Sequence, residues 1–294
     1  MKLDLLHTLT HPNSVYAVAF SPDGKLLGTA SLDNSLKLWD VASGKELARL
    51  TGHGDGVCGV AFSADGKKLY SASLDKTVKQ WDVAAGGVEA THGGHGGYIE
   101  SFAISADRAT IATGSHDKSI RVIAAESGAA KATLTGHADA VFAVALSRDG
   151  KQCASGSNDG TLRLWDVAAG TSRTAIGNDG IPQSVIFTSD DKTVITGGHT
   201  GLIEFWSASS LERFQTFEGH RGPVKSLAIS ANDQLLVSGG HDASVRVWDV
   251  NSGKSLVTVE QAHKNNIYGV AIAPNSQRVA SASFDRTIKL WAVS

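Results

Sequence analysis

Histidine, a hydroxyl residue, aspartate and tryptophan recur along this sequence at fixed spacing. The Asp stands six residues before the Trp, and the Ser or Thr ten before it. Five sets are intact: His11, Thr29, Asp33 and Trp39; His53, Ser71, Asp75 and Trp81; His137, Ser155, Asp159 and Trp165; His220, Ser238, Asp242 and Trp248; His263, Ser281, Asp285 and Trp291. A hydroxyl, an imidazole and a carboxylate are the parts of a hydrolytic triad, in which His takes the hydroxyl proton and Asp holds the imidazole tautomer. Repetition argues against that chemistry, since an active site has no use for five copies. The sequence also lacks a G-x-S-x-G segment, the turn that exposes a nucleophilic Ser.

The sets must be held by elements that recur with them. The Trp position runs Trp39, Trp81, Ile123, Trp165, Trp206, Trp248 and Trp291, at intervals of 41 to 43 residues. Seven units at so constant a period imply a repeat architecture. Two are eroded: the third has His95, Thr113 and Asp117 but Ile123, and the fifth has Asn178, Thr196, Thr200 and Trp206. Neutral drift and release of those loops for another task both account for the erosion, and drift is the simpler. Each unit reads as four short strands. Runs such as YAVAF from Tyr16, CGVAF from Cys58, FAVAL from Phe142 and YGVAI from Tyr268 suit a strand covered on both faces. Asp-Gly turns follow at S-P-D-G-K from Ser21, S-A-D-G-K from Ser63 and S-R-D-G-K from Ser147, a strong hairpin signal. A second strand leads to a tight turn at the Asp position, and the third strand carries the Trp.

The runs S-L-D-N-S-L-K-L-W-D, S-L-D-K-T-V-K-Q-W-D, S-N-D-G-T-L-R-L-W-D and G-H-D-A-S-V-R-V-W-D, ending at Asp40, Asp82, Asp166 and Asp249, resemble the WD-repeat β-propeller family, and the likeness covers the whole chain. It implies an all-β fold: a seven-bladed β-propeller of four-stranded antiparallel blades around a central channel, with residues 1–294 as a single domain. It also implies that each His, Ser or Thr, Asp and Trp set is a buried chain of hydrogen bonds. The indole donates to the hydroxyl, the hydroxyl to His, and His to Asp. The sequence stops at Ser294 after a third strand, while LDLLHTL precedes His11 as ELARLTG precedes His53. Residues 3–9 are therefore expected to supply the outer strand of blade 7 and so cover an exposed edge.

The resemblance further implies two positions per repeat around the narrow top opening. Five residues after the His position stand Tyr16, Cys58, Glu100, Phe142, Gln183, Lys225 and Tyr268; before the Asp position stand Leu32, Leu74, His116, Asn158, His199, His241 and Phe284. Blades 7, 1 and 2 contribute Tyr268, Phe284, Tyr16, Leu32, Leu74 and Cys58, one apolar arc beside a polar remainder that includes Glu100 and Lys225. An apolar patch rimmed by polar groups suits a protein partner; the alternative is that these side chains fold inward and plug the channel. Phe142 and Tyr268 are three blades apart, placed to clasp an inserted side chain such as Arg, with Lys225 on the same rim opposing it.

Other signals are weaker. His92 and His95 are three apart, but His95 already belongs to a repeat set. His116, His199 and His241 lie on three different blades. Facing sheets pack roughly 10 Å apart, while zinc needs each nitrogen at about 2.0–2.1 Å, so no metal is assigned. The Gly-rich stretch at 93–97 carries no nucleotide fingerprint, and no cofactor is assigned. Cys58 and Cys153 read as apolar fillers; two cysteines are no disulfide framework, which favours a reducing, cytoplasmic setting, with the nucleus as an alternative. A net charge of −2 gives nucleic acid no basic surface. No apolar run approaches a membrane span, and residues 1–10 do not read as a signal peptide. The expected function is a non-catalytic scaffold, monomeric on its own, that binds a protein or peptide on the top rim. A docking module of a larger protein and a propeller hydrolase are the alternatives.

Overall fold

The computed structural model describes residues 1–176 and 180–294. Its strands form seven separate four-stranded antiparallel sheets. Blade 1 runs outward as Val15–Phe20, Leu26–Ser31, Ser35–Asp40 and Glu46–Thr51, and the later blades repeat that order. Inner strands neighbour one another all round the ring, Ile267–Ile272 of blade 7 lying against Val15–Phe20 of blade 1. Leu3–Thr10 pairs with Thr287–Val293 as the outer strand of blade 7, and Lys2 and Ser294 exchange backbone hydrogen bonds at 2.7 and 3.1 Å.

Turn chemistry sets the hairpins. In the first, Ser21 Oγ and Lys25 N–H both donate to the Asp23 carboxylate, while Gly24 takes the left-handed φ of 71° that the turn requires. The core lies between blades, one buried cluster per gap. Between blades 1 and 2, Leu36, Leu38 and Leu50 meet Phe62, Leu69 and Trp81. Each indole thus packs on the preceding blade. In blade 3 that place falls to Ile123, and Tyr70 of blade 2 fills the gap from the other side, where other blades carry the smaller Gly28, Ala112, Ala154, Ile195, Val237 and Ala280.

One irregularity recurs in all seven inner strands. The register slips between Val15 and Ala17, Val57 and Gly59, Ile99 and Ser101, Val141 and Ala143, Pro182 and Ser184, Val224 and Ser226, and Ile267 and Gly269. A β-bulge leaves one residue unpaired and re-aims its side chain. The skipped residues are Tyr16, Cys58, Glu100, Phe142, Gln183, Lys225 and Tyr268.

Candidate functional site

The His, hydroxyl, Asp and Trp sets are hydrogen-bonded within their blades. In blade 2 the Trp81 indole donates to Ser71 Oγ at 2.8 Å, Ser71 Oγ lies 2.7 Å from His53 Nε2, and His53 Nδ1 lies 2.7 Å from Asp75. An indole can only donate, so the hydroxyl passes its own proton to Nε2, which leaves the Nδ1 proton facing the carboxylate. Blades 4, 6 and 7 repeat the chain: Trp165 to Ser155 to His137 to Asp159, Trp248 to Ser238 to His220 to Asp242, and Trp291 to Ser281 to His263 to Asp285. Each hydroxyl is buried with both roles spent. Burial works against the Asp75 carboxylate, but donors from His53, Thr77 and the Gly54 N–H together outweigh it and hold the acid well below its ordinary range.

Blade 1 differs in one backbone donor. Elsewhere the residue after the His gives its N–H to the Asp, as Gly54, Gly96, Ala138, Arg221 and Lys264 do. After His11 comes Pro12, which has no N–H. In its stead Arg49 Nη2 donates to Asp33 at 3.3 Å; His11 to Asp33 is 3.4 Å, matched by 3.3 Å for His263 to Asp285, and Trp39 and Thr29 keep their places. In blade 3, Thr113 and Asp117 bond both nitrogens of His95, and no indole donor reaches the hydroxyl. His95 is thereby committed and shares nothing with His92. In blade 5 Trp206 donates to Thr196 at 3.0 Å, and Asn178 lies outside the described residues.

The bulged residues converge at the upper mouth of the channel. Tyr16 and Tyr268 stack with centroids 4.4 Å apart. Lys225 Nζ sits 5.9 Å from the Phe142 ring and 5.8 Å from the Tyr268 ring, and donates to Gln183 Oε1. The clasp expected between Phe142 and Tyr268 is therefore filled by the chain's own lysine, which an incoming Arg would have to displace. Burial pushes the Lys225 ammonium below its ordinary pKa, with Glu100 opposing the shift. Burial likewise raises Glu100, offset by His116 at 3.0 Å and by Lys225. Cys58, expected in the apolar arc, is buried: its thiol lies 3.1 Å from the Ile99 carbonyl and 3.4 Å from that of Ala72, so it offers a partner no surface.

The outer ring stays open. Phe284 is 43% exposed and packs at 6.2 Å on Tyr268, while Leu32 and Leu74 are half-buried and flank Gly56. His116 and His199 are exposed, and His241 meets Tyr268 edge-on. Sequence reasoning missed Tyr98, 49% exposed and edge-on to His116 at 5.9 Å. Its signal was available: three residues after the His position, blades 1, 2, 4 and 6 carry Ser14, Gly56, Ala140 and Pro223, so a lone aromatic stands out. It also passed over Gly54–Gly59, which spells G-x-G-x-x-G but runs into the strand Val57–Phe62 and opens no helix to hold a pyrophosphate. Among the described residues, no helix is long and apolar enough to cross a membrane.

Comparison with known proteins agrees with this frame. A stretch of 45 residues is 53% identical to a probable serine/threonine-protein kinase of Thermomonospora curvata, covering 15% of this chain and 6% of the kinase. Another of 40 residues is 50% identical to an uncharacterized WD repeat-containing protein of Nostoc sp., covering 14% of this chain and 3% of that protein. The chain thus matches only a small part of the length of either relative. The repeat family described as WD domain, G-beta repeat matches residues 3–40, 44–82, 86–123, 128–166, 211–249 and 253–292, leaving out most of the eroded blade 5. With most of its length matched and seven blades in the structure, the chain belongs to the WD domain, G-beta repeat family.

Proposed function

We propose that this propeller binds a peptide or a segment of a partner protein across its top rim, over the arc Phe284, Leu32, Leu74 and Tyr98. Propellers of this family are generally non-catalytic protein-interaction scaffolds. The observation that carries the reading is the contrast between the two rings. The inner one is largely spent on internal contacts: the Tyr16–Tyr268 stack, Lys225 between rings, Glu100 against His116. The outer one leaves apolar side chains in solvent beside exposed imidazoles. A partner lying across the rim buries apolar side chains on the arc and pairs polar groups with blades 3 to 6, the usual division of a binding surface. Aromatic residues are frequent hot spots, and truncating one costs about 2 kcal/mol or more.

Selection of displayed peptides on the immobilised propeller tests this. Selected peptides should lose affinity for Phe284→Ala, Tyr98→Ala and Leu74→Ala, and keep it for Lys67→Ala in a turn on the opposite face. Equal binding to all four folded variants moves the site elsewhere. A second reading, a docking module within a larger protein, is favoured by the kinase relative, in which the matched stretch is only 6% of the length.

A further inference from the structure

The lower opening of the channel carries two arginines that neither the repeat sets nor the upper rim use. The turn between the first two strands of every blade places its fourth residue at left-handed φ: Gly24, Gly66, Arg108, Gly150, Asp191, Asp233 and Ser276. Glycine adopts that conformation freely, and aspartate tolerates it because its short side chain bonds locally. Asp191 accepts from the Arg148 N–H at 2.9 and 3.1 Å, and Asp233 from the N–H and hydroxyl of Ser189, so each ties its turn to the preceding blade.

Arg108 also reaches the preceding blade, but through a long charged side chain rather than a short local one. It holds a φ of 60°, and its half-buried guanidinium donates Nη1 to the Phe62 carbonyl at 3.3 Å. The arginine–carboxylate pairs among the described residues are those of Arg49, Arg213 and Arg246, and Arg108 takes part in none of them. A guanidinium has five N–H donors, and beyond the Phe62 carbonyl no partner takes the others among the described residues. Backbone strain and desolvated charge cluster at functional sites. The cavity measures about 640 Å³ and is lined by Arg108, Arg148, Lys225, Glu100, Asp191 and Asp233. Its carboxylates are committed, Glu100 to His116 and the two aspartates to neighbouring turns. Arg148, one blade on, gives Nη1 to the Ser189 carbonyl at 3.3 Å. The lining charges balance, three cations against three carboxylates, but at the lower mouth both aspartates already accept from neighbouring turns while Arg108 and Arg148 bond only backbone carbonyls through their guanidinium groups.

We propose that the lower mouth of the channel is an oxyanion site, with Arg108 as its principal ligand and Arg148 as a second donor. Its ligand is a phosphate or carboxylate group on a molecule small enough to enter the channel. The test is calorimetry on the full chain with inorganic phosphate and, separately, citrate, at ionic strength fixed with sodium chloride, together with NMR of the Arg side-chain Nε–H signals. Saturable binding of either anion is expected, with a shift of the Arg108 signal; tighter phosphate identifies a phosphate ligand and tighter citrate a multicarboxylate. Arg108→Gly restores the residue found in blades 1, 2 and 4, so it should keep or raise the melting temperature while weakening Kd at least tenfold. Absence of saturable binding, or a Kd unchanged in Arg108→Gly, overturns the proposal. Peptides selected on the top rim should bind Arg108→Gly as before, which separates this site from the rim.

Discussion

Thr29 and Thr113 occupy the same position in blades 1 and 3, both buried, but one has an indole donor and the other does not. Replacing each by Val keeps the shape and strand preference and removes only the hydroxyl. In blade 1 the loss strands two buried groups, the Trp39 N–H at 2.9 Å and His11 Nε2 at 2.7 Å. In blade 3 it strands one, His95 Nε2 at 2.8 Å. A buried polar group left without a partner costs about 1–3 kcal/mol. Thr29→Val should therefore cost about 2–6 kcal/mol and Thr113→Val about 1–3. The difference reports the indole bond, the one partner of the hydroxyl closer than 3 Å that blade 3 lacks. A domain of 150–250 residues loses about 2–4 °C of melting temperature per kcal/mol, so the two variants should separate by several degrees. Scanning calorimetry at neutral pH reads it. Equal losses, or a larger loss in blade 3, would show that the indole donor adds nothing and that the sets stabilise the blades by another route.

Acid should unfold this protein earlier than carboxylate titration alone would. Burial depresses His11 to about 4 and also lowers His95 and His137, whereas an unfolded imidazole titrates near about 6.5. The unfolded chain then binds more protons, so stability is complete above about pH 6.5 and falls as pH drops toward the folded values, by up to about 1.4 kcal/mol per pH unit per histidine; urea midpoints that stay flat from pH 7 to 5 would refute this. In the outer strand of blade 7, Leu9 is buried while Leu5 is exposed. Leu9→Ala should cost about 2–5 kcal/mol and Leu5→Ala little, and removing residues 1–9 should lower the melting temperature sharply; an unchanged temperature counts against the strand's role. Ile123→Trp alone should overpack against Tyr70 and cost about 1–3 kcal/mol. Combined with Tyr70→Ala it should show favourable coupling of at least about 0.5 kcal/mol, because the new indole gains both space and Thr113 as acceptor; additive effects would mean that the two side chains do not share the gap.

Much of the blade frame was legible because a propeller writes its geometry into one short unit. Constant spacing of Trp, small apolar runs and Asp-Gly turns each speak of a local event, and local events survive in sequence. The missing backbone donor to Asp33 went unread, although proline at residue 12 visibly lacks the N–H that its counterparts supply. What could not be read is how side chains meet across the channel. Nothing in the type of Lys225 says that it will lie between rings from blades 4 and 7, because that contact depends on how far the opening narrows. Cys58 was placed by its offset, and its burial follows from carbonyls on its own and the next blade.

The bulges explain why the upper mouth can differ so much between blades while the frame stays alike. A ladder residue must pair on both sides and fit its neighbours, which restricts it. The residue skipped by a bulge is released from its ladder, so Tyr, Cys, Glu, Phe, Gln and Lys are all accepted at one structural position. The lower turns divide in the same way. Glycine serves the left-handed position, and aspartate and arginine serve it while tying adjacent blades. The repeat thus leaves its most variable positions, unpaired or strained, at the two ends of one channel.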